Sequence, residues 1–272
     1  MKLKQPRLLI GLSLVMTLSL AVAAYYGAFV PATYARDSAS MGTQGMGQDM
    51  FDLFVVVPLL VILLAFTLRN NRIAFLLFSG TVFYILYSYI LYAFGVHFNN
   101  MFLVYCLVFG ASFYVFVLVV IELNGMQVRH WFGDRAPVRA TGIFFIVIAL
   151  LFYLLWLKDV VPAIVSNSVP ATVADDDLLV NPVHVLDIAV ALPGLVITAV
   201  LLFKKHELGY IFAPIYLVFT ILLALALIAM VVAMKAKGIG EDISIAVIFL
   251  ILAAISTAFL YRFFRSIRVE GD

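Results

Sequence analysis

The chain has 272 residues, of which 65% are hydrophobic and 12% charged, and its formal net charge is +2. Soluble domains are nearer half apolar and a quarter charged, so a water-soluble fold could not bury this much apolar surface. The small net charge gives no support for a nucleic-acid partner, and the single Cys106 excludes an intrachain disulfide. The composition predicts an integral membrane protein whose main partner is the lipid bilayer, and nothing in it predicts a cofactor.

Continuous apolar runs of about 20 residues favour transmembrane helices over the alternating strands of a β-barrel. Eight such runs follow one another and predict an all-α integral membrane bundle of eight transmembrane helices. They cover residues 8–30, 51–68, 73–95, 101–123, 140–157, 183–203, 209–234 and 243–261. Two connections are long. Residues 31–50, rich in Gly, Ser and Met, are expected to be mobile, and residues 158–182 are expected to form the main exterior loop.

The first run is also compatible with a signal peptide, because basic residues and an apolar run precede Ala21-Val-Ala-Ala24. The run continues through Tyr25, Tyr26 and Phe29. That length exceeds the usual apolar part of a signal peptide, and interfacial aromatic residues are typical of a span. We therefore predict that the first run stays as a helix; cleavage would leave seven helices with the same orientation.

The basic residues predict the orientation of the bundle. With the N-terminus in the cytoplasm, only four of the 17 Lys and Arg residues fall outside, and 13 fall inside. The four are Arg36, Lys158, Lys235 and Lys237. The positive-inside rule then predicts a multi-pass protein of a bacterial-type inner (plasma) membrane, with cytoplasmic N-terminus and C-terminus. Glu122, at the inner end of the fourth helix, is expected to pair with Arg129 or Arg139.

An internal repeat emerges when the chain is laid on itself with the offset that carries Asp52 onto Asp187, called the repeat offset below. Asp52–Ile62 then falls on Asp187–Ile197, and six of the 11 positions are identical, including the Asp and a Pro. A shift of four helices preserves direction, so the sequence predicts two parallel four-helix repeats. The first half would comprise residues 1–139 and the second residues 140–272. Coincidence among apolar helices is the alternative.

The repeat pairs Asp52 with Asp187, and ionisable side chains at membrane depth are costly and usually functional. Each acid lies six residues before a proline, Pro58 or Pro193. Proline removes a helix hydrogen bond, which frees a carbonyl and kinks the helix. Each half would thus carry a carboxylate and a free carbonyl in the outer half of the membrane, which suits a cation, a cationic solute group or a proton relay. Alternatively, the acids only complement helix dipoles, above all Asp52, which begins its predicted helix.

Two tyrosines of the third predicted helix are candidates for the same site. Tyr84 and Tyr87 are three residues apart and share a helix face. Buried hydroxyls need hydrogen-bond partners, so these two are placed to line a polar pocket with Asp52 or Asp187. Ordinary helix packing is an equally acceptable interpretation of both tyrosines.

Histidines occur at the same predicted depth. His184 shares a helix face with Asp187, and His97 ends the third predicted helix shortly before Asn100. All four residues are candidates for binding a solute or ion. No metal is predicted, since the sequence has no metal-binding motif; a zinc site formed by His97, His184 and Asp187 is the alternative.

Three stretches carry a resemblance. They are Tyr84–Tyr105, the segment from His184 through Asp187 to Pro193, and Gly209-Tyr-Ile-Phe-Ala-Pro214. Together they resemble a group of uncharacterised bacterial polytopic integral membrane proteins, over most of the second to seventh predicted helices. That group has no assigned activity, so the resemblance implies a bacterial multi-pass protein and adds no function.

The sequence favours a small-solute or ion transporter with an outward-facing site between the two halves. An intramembrane enzyme that uses His97, His184 and Asp187 stays open as an alternative. So does a non-catalytic sensor or assembly subunit whose partners are other membrane proteins. The sequence has no nucleotide-binding or serine-hydrolase motif, and no lysine lies within a predicted span, which favours a protein that is not an enzyme.

Overall fold

The computed structural model describes residues 3–240 and 242–268. In that part of the chain, eight helices are long and apolar enough to cross a membrane, and no strand is present. The prediction of an all-α eight-helix bundle is confirmed, and the chain is a multi-pass membrane protein. The helices are α1 Pro6–Phe29, α2 Ala39–Leu68, α3 Arg72–Gly95, α4 Phe102–Asn124, α5 Val138–Ser166, α6 Pro182–Phe203, α7 Glu207–Ala236 and α8 Ser244–Phe264.

Helix α2 begins at Ala39 and not at residue 51, so the prediction of a mobile loop over residues 31–50 is wrong for most of its length. Ser38 caps this helix, because its Oγ accepts a hydrogen bond from the Met41 N–H at 3.0 Å. The glycines that suggest a loop instead allow close packing. A Cβ at Gly47 would lie 2.8 Å from the carbonyl oxygen of Ala229 in α7. Small residues commonly permit such approaches between membrane helices.

Helix α5 also exceeds its predicted length, since it continues through Pro162 to Ser166. A short turn of helix, Ala171–Ala174, interrupts the connection that follows. The exterior loop is thus shorter than the sequence suggests. Its side chains are partly fixed, because Thr172 Oγ1 donates a hydrogen bond to Asp159 Oδ2 at 2.6 Å.

Helices α2 and α6 each contain a single π turn, over Asp52–Val56 and Asp187–Ala191. Pro58 and Pro193 follow each turn by two residues. In a regular α-helix a proline ring clashes with the carbonyl four residues earlier, and a wider turn relieves that clash. The helix break expected at each proline therefore takes the form of a π turn, a feature frequent at functional sites.

Helix boundaries around the two π turns match at the repeat offset. The α-helical segments after them, Val57–Leu68 and Leu192–Phe203, coincide under it, and so do the starts of α3 and α7. The tight turns between these helices each hold a non-glycine residue with positive φ, 64° at Asn70 and 52° at Lys205. These two positions also coincide, so the match at the repeat offset covers the π turns, the helical segments after them and the turns that follow.

Helices α3 and α7 form the centre of the bundle. In their most apolar stretches 78% and 56% of residues are buried within the protein, against 17% in α8. The two central helices touch at Gly80, where an added Cβ would overlap the Cβ of Val218. Helices α2 and α4 pack against α3, α1 packs on α2 and α4, and α6, α8 and also α2 pack against α7. The core therefore continues from one half into the other as a single cluster of buried residues.

The end of the bundle that carries the 69–71 and 204–206 turns is called the inner end, after the orientation predicted from charge. Glu122 is buried there, and its carboxylate accepts hydrogen bonds of 2.8–3.0 Å from the backbone N–H groups of Lys4 and Gln5. The acid thus satisfies the free N–H groups at the start of α1. The expected pairing with Arg129 or Arg139 is wrong: the structure, over its described residues, gives Glu122 no ion pair with either.

Residues 125–137 join the two halves at the inner end and are held by the second half. The Gly133 N–H donates to the Ser266 carbonyl at 2.7 Å, and the Arg268 N–H donates to the Trp131 carbonyl at 2.8 Å. The ring of Phe132 packs against Tyr210 and Phe263, with centroids 5.8 and 5.3 Å away. These contacts fasten the connection between the halves to the end of α8.

Candidate binding site at the outer end

Helix α3 carries the hydroxyl groups that hold the two aspartates predicted from the repeat. Tyr84 donates a hydrogen bond to Asp52 Oδ1, and Tyr87 donates one to Asp187 Oδ1, each at 2.8 Å. Tyr84 thus bonds the aspartate of the first half, and Tyr87, three residues later, bonds the aspartate of the second half. The structure brings together each predicted tyrosine with one predicted aspartate, and it does not place all four in one pocket.

Both aspartates stand at the same depth. Asp52 precedes the end of α2 at Leu68 by as many residues as Asp187 precedes the end of α6 at Phe203. At a rise of about 1.5 Å per residue, each carboxylate lies about 24 Å from the inner end of its helix. Since α2 begins well before Asp52, the alternative that Asp52 only complements a helix N-terminus is wrong.

Asp187 has a second uncharged donor. The indole Nε1 of Trp156 in α5 donates to Asp187 Oδ2 at 2.8 Å. His184 is buried one helical turn before Asp187, and its ring packs on Trp156 with centroids 4.7 Å apart. Asp187 also borders a small cavity of about 40 Å³, otherwise lined almost wholly by apolar side chains such as Phe152. That volume exceeds the space that one water molecule needs.

A third buried acid, Asp49, escaped the sequence analysis. It is 0% exposed, and its carboxylate accepts hydrogen bonds from the hydroxyls of Tyr34 and, at 3.2 Å, Tyr92. It lies directly against α1, where an added Cβ at Gly27 would overlap Asp49 Oδ2. Tyr34 lies in the connection between α1 and α2. Burial of the Tyr34 hydroxyl raises the pKa of this tyrosine, and the nearby Asp49 carboxylate raises it further.

The repeat contains the signal that would have revealed Asp49, because its offset places Asp49 on His184. The pair His184 and Asp187, three residues apart, thus corresponds to Asp49 and Asp52. The assignment of residues 31–50 to a loop concealed this match. The helix that replaces the loop puts both acids of the first half on one buried face.

No basic side chain is bonded to any of the three acids in the part of the chain described. Asp52 is 1% exposed and Asp187 7% exposed, and their partners are tyrosine hydroxyls and one indole. The second oxygen of Asp52, Oδ2, is buried and has no hydrogen-bond partner among the residues that the structure describes. Ionised carboxylates in such surroundings are costly, and inside membranes they commonly mark ion or proton pathways.

Between the halves, at the outer end, lies a cavity of about 180 Å³. The first half contributes residues of α2, of α3 and of the segment before α2, and the second half contributes the start of α6, the loop before it and one residue of α7. Its polar lining consists of Tyr34, Asp37, Gln44, Gln48, Tyr92, Asp176 and Asn181. Tyr34 and Tyr92 thus connect this outer cavity to the buried Asp49.

His97 lies beside the cavity and holds Asp37. The His97 backbone N–H donates to Asp37 Oδ1 at 2.9 Å, and its Nδ1 lies 3.0 Å from the same oxygen. Asn100 is exposed at the following turn and does not line the cavity. Neither Asp52 nor Asp187 lines it either, so the predicted site residues are distributed over several neighbouring places.

The described residues include no group of three or more His, Cys, Asp or Glu side chains placed to hold a metal ion. His97 contacts Asp37, whereas His184 and Asp187 meet at Trp156. The structure therefore does not assemble the alternative zinc site of His97, His184 and Asp187.

Comparison with protein-family models, with curated proteins and with solved structures finds no match to this chain. The fold and the site define it as a multi-pass membrane protein with a set of buried acids below an outer cavity.

Proposed function

We propose that the protein is a transporter for a small solute or ion, with its binding site in the outer cavity between the two halves. The observation that carries this proposal is the contact of Tyr34 and Tyr92 with both the cavity and the buried Asp49. A solute in the cavity would be separated from the Asp49 carboxylate by the hydroxyl group of Tyr34 or Tyr92. That carboxylate has no basic partner among the described residues. Acids of that kind are the usual coupling groups of pumps and transporters.

The division of the cavity between two halves supports the same function. Many transporters consist of repeats, with the substrate at the repeat interface near interrupted helices. The two π turns interrupt α2 and α6 at corresponding positions beside Asp52 and Asp187. We propose that the halves arose by duplication, which is supported by the helix limits and turns that recur at the repeat offset.

We also propose that the cavity faces away from the cytoplasm of a bacterial-type cell, in its inner membrane. The support is the charge pattern, which leaves only four of 17 basic residues at the outer end. Alkaline phosphatase fused after Ala174 should be active, whereas fusion after Gly133 should be inactive. The reverse pattern would overturn this orientation.

The function is testable by complementation of a strain that lacks the gene. The strain is screened for altered growth with amines, amino acids and inorganic cations, and the wild-type protein is returned to it. We expect Asp49→Asn and Asp52→Asn to abolish rescue, because each removes a buried carboxylate and keeps the side-chain shape. Membrane levels of each variant are measured by immunoblotting.

Asp175→Asn provides the matched control, since Asp175 is an exposed acid of the outer loop. It should rescue as the wild type does. Full rescue by both Asp49→Asn and Asp52→Asn, at wild-type membrane levels, would overturn the proposed role of the buried acids.

A further inference from the structure

The acids that line the outer cavity have no basic side chain opposite them. Asp37 and Asp176 line the cavity together with the amide side chains of Gln44, Gln48 and Asn181. No Lys, Arg or His of the described chain lines it. Arg36, the basic residue next to Asp37, is turned away, since its Nη1 donates to the Phe98 carbonyl at 2.6 Å. The cavity lining thus presents acceptors and negative charge, and the His97 ring, which lies beside the cavity, contacts only Oδ1 of Asp37.

Asp37 supplies an independent indication of a ligand. Its side chain is 1% exposed. His97 occupies only its Oδ1, and Oδ2 is enclosed without any hydrogen-bond partner among the described residues. A buried acceptor left unsatisfied is costly, and more so when it is charged. A bound donor would remove that cost.

The rest of the lining indicates what kind of donor fits. Met41, Leu91, Val183 and Met230 form an apolar wall beside the acids. An inorganic cation needs several oxygen ligands around one point, and the described acids and histidines do not form such a group. A cavity of about 180 Å³ is also much larger than a single ion. A lining that combines acidic and apolar side chains matches an organic cation.

We propose that the outer cavity binds a small organic cation of the alkylamine or alkylguanidine class, with its charged group on Asp37 and its carbon chain along the apolar wall. Asp176 adds a second charge, although its Oδ1 already accepts a hydrogen bond from Ser38 Oγ. This inference rests on the proposed function only in its choice of cavity, because binding can be measured without transport.

The test uses the full-length protein in lipid nanodiscs, with putrescine and agmatine as probes in calorimetry. Succinate and butanediol are anionic and neutral compounds with the same carbon-chain length as putrescine. We expect saturable binding of the two cations and none of the other two. Asp37→Asn, which keeps an oxygen for His97, should weaken cation binding about tenfold or more, as expected for a lost charge-assisted hydrogen bond.

Lys237→Gln is the control, because Lys237 lines a separate cavity on the other side of Asp37 and Tyr34. It changes the net charge as much as Asp37→Asn does and should not weaken binding. Equal binding of succinate, no binding of either cation, or tight binding by Asp37→Asn would overturn the proposed ligand class. If the cations bind while Asp49→Asn and Asp52→Asn rescue fully, the cavity assignment stands and the proposed role of the buried acids in transport fails.

Discussion

At the scale of single residues, the buried acids differ in how many donors hold them. Within the described chain, Asp52 receives one hydrogen bond, from Tyr84, whereas Asp187 receives two, from Tyr87 and Trp156. Tyr89 has a buried hydroxyl without a partner among the described residues. A donor is worth most where its loss leaves a buried charged or polar group unsatisfied. Tyr84, Tyr87 and Tyr89 of α3 should therefore contribute unequally to stability.

Replacement of these tyrosines by phenylalanine tests that order. Tyr84→Phe leaves Asp52 without a hydrogen bond and should lower the free energy of unfolding by about 1–3 kcal/mol. Tyr87→Phe should cost less, because Trp156 still holds Asp187. Tyr89→Phe is the matched control on the same helix and should be neutral or slightly stabilising. Thermal unfolding in detergent measures all three. Equal losses for Tyr84→Phe and Tyr89→Phe would contradict the assignment.

The sequence identified Asp52, Asp187, Tyr84 and Tyr87 through polarity within apolar runs, and each takes part in a buried hydrogen bond. It could not say which tyrosine serves which acid, since that depends on how α3 is rotated between the halves. Trp156 was missed for a similar reason. An aromatic residue near a helix end is typical of interfacial anchoring, and only packing shows that its indole points to Asp187.

At the scale of helices, close approach at small residues decides how the bundle packs. A Cβ added at Gly80 of α3 would overlap Val218 and lie 3.0 Å from the carbonyl oxygen of Ile215. Gly110 of α4 has no atom of the described residues within 4 Å of that position. The same substitution therefore meets a packed backbone at one site and open space at the other.

Gly80→Ala should destabilise the protein by about 1–3 kcal/mol through overpacking between α3 and α7. Gly110→Ala should be neutral or stabilising by up to about 1 kcal/mol, because alanine favours helix. Unfolding temperature and yield of monodisperse protein are the measurements. If both variants behave alike, the close contact of the two central helices is not as described.

Six of the eight helices have predicted limits that are close to the observed ones, since apolar run length is a direct signal of a span. The two exceptions, α2 and α5, extend into polar or proline-containing sequence. Glycine and proline ordinarily signal loops, but Gly47 packs against α7 and Pro162 is accommodated within α5. Tertiary contact overrides local preference at Gly47, whereas Pro162 is exposed within its helix.

At the scale of the whole molecule, the most buried helices, α3 and α7, come from different halves and cover each other. Each half expressed alone would expose Gly80 or Val218 and the apolar surface around them. The connection over residues 125–137 belongs structurally to the second half, through Gly133 and Phe132. A break in the chain just before this connection should preserve the contacts between α3 and α7. It should also preserve the contacts of the connection with the second half.

Fragments 1–125 and 126–272, produced together, should therefore copurify as one particle, detected by affinity capture of one tagged fragment and size-exclusion chromatography. Each fragment alone should aggregate or be degraded. A stable monodisperse particle from a single fragment would show that the halves fold as independent units, which contradicts a core shared between them.

The fastening of residues 131–133 to the end of α8 has a mechanical consequence. At the inner end, backbone hydrogen bonds hold the connection between the halves on the second half, whereas at the outer end a side-chain hydrogen bond from Ser38 to Asp176 joins the first half to the second. We therefore expect the two halves to separate more easily at the outer end than at the inner end. Under the proposed transport function, opening of the outer end would admit a solute, and residues 131–133 would move together with the end of α8. Passage inward would then depend on local rearrangement at the π turns.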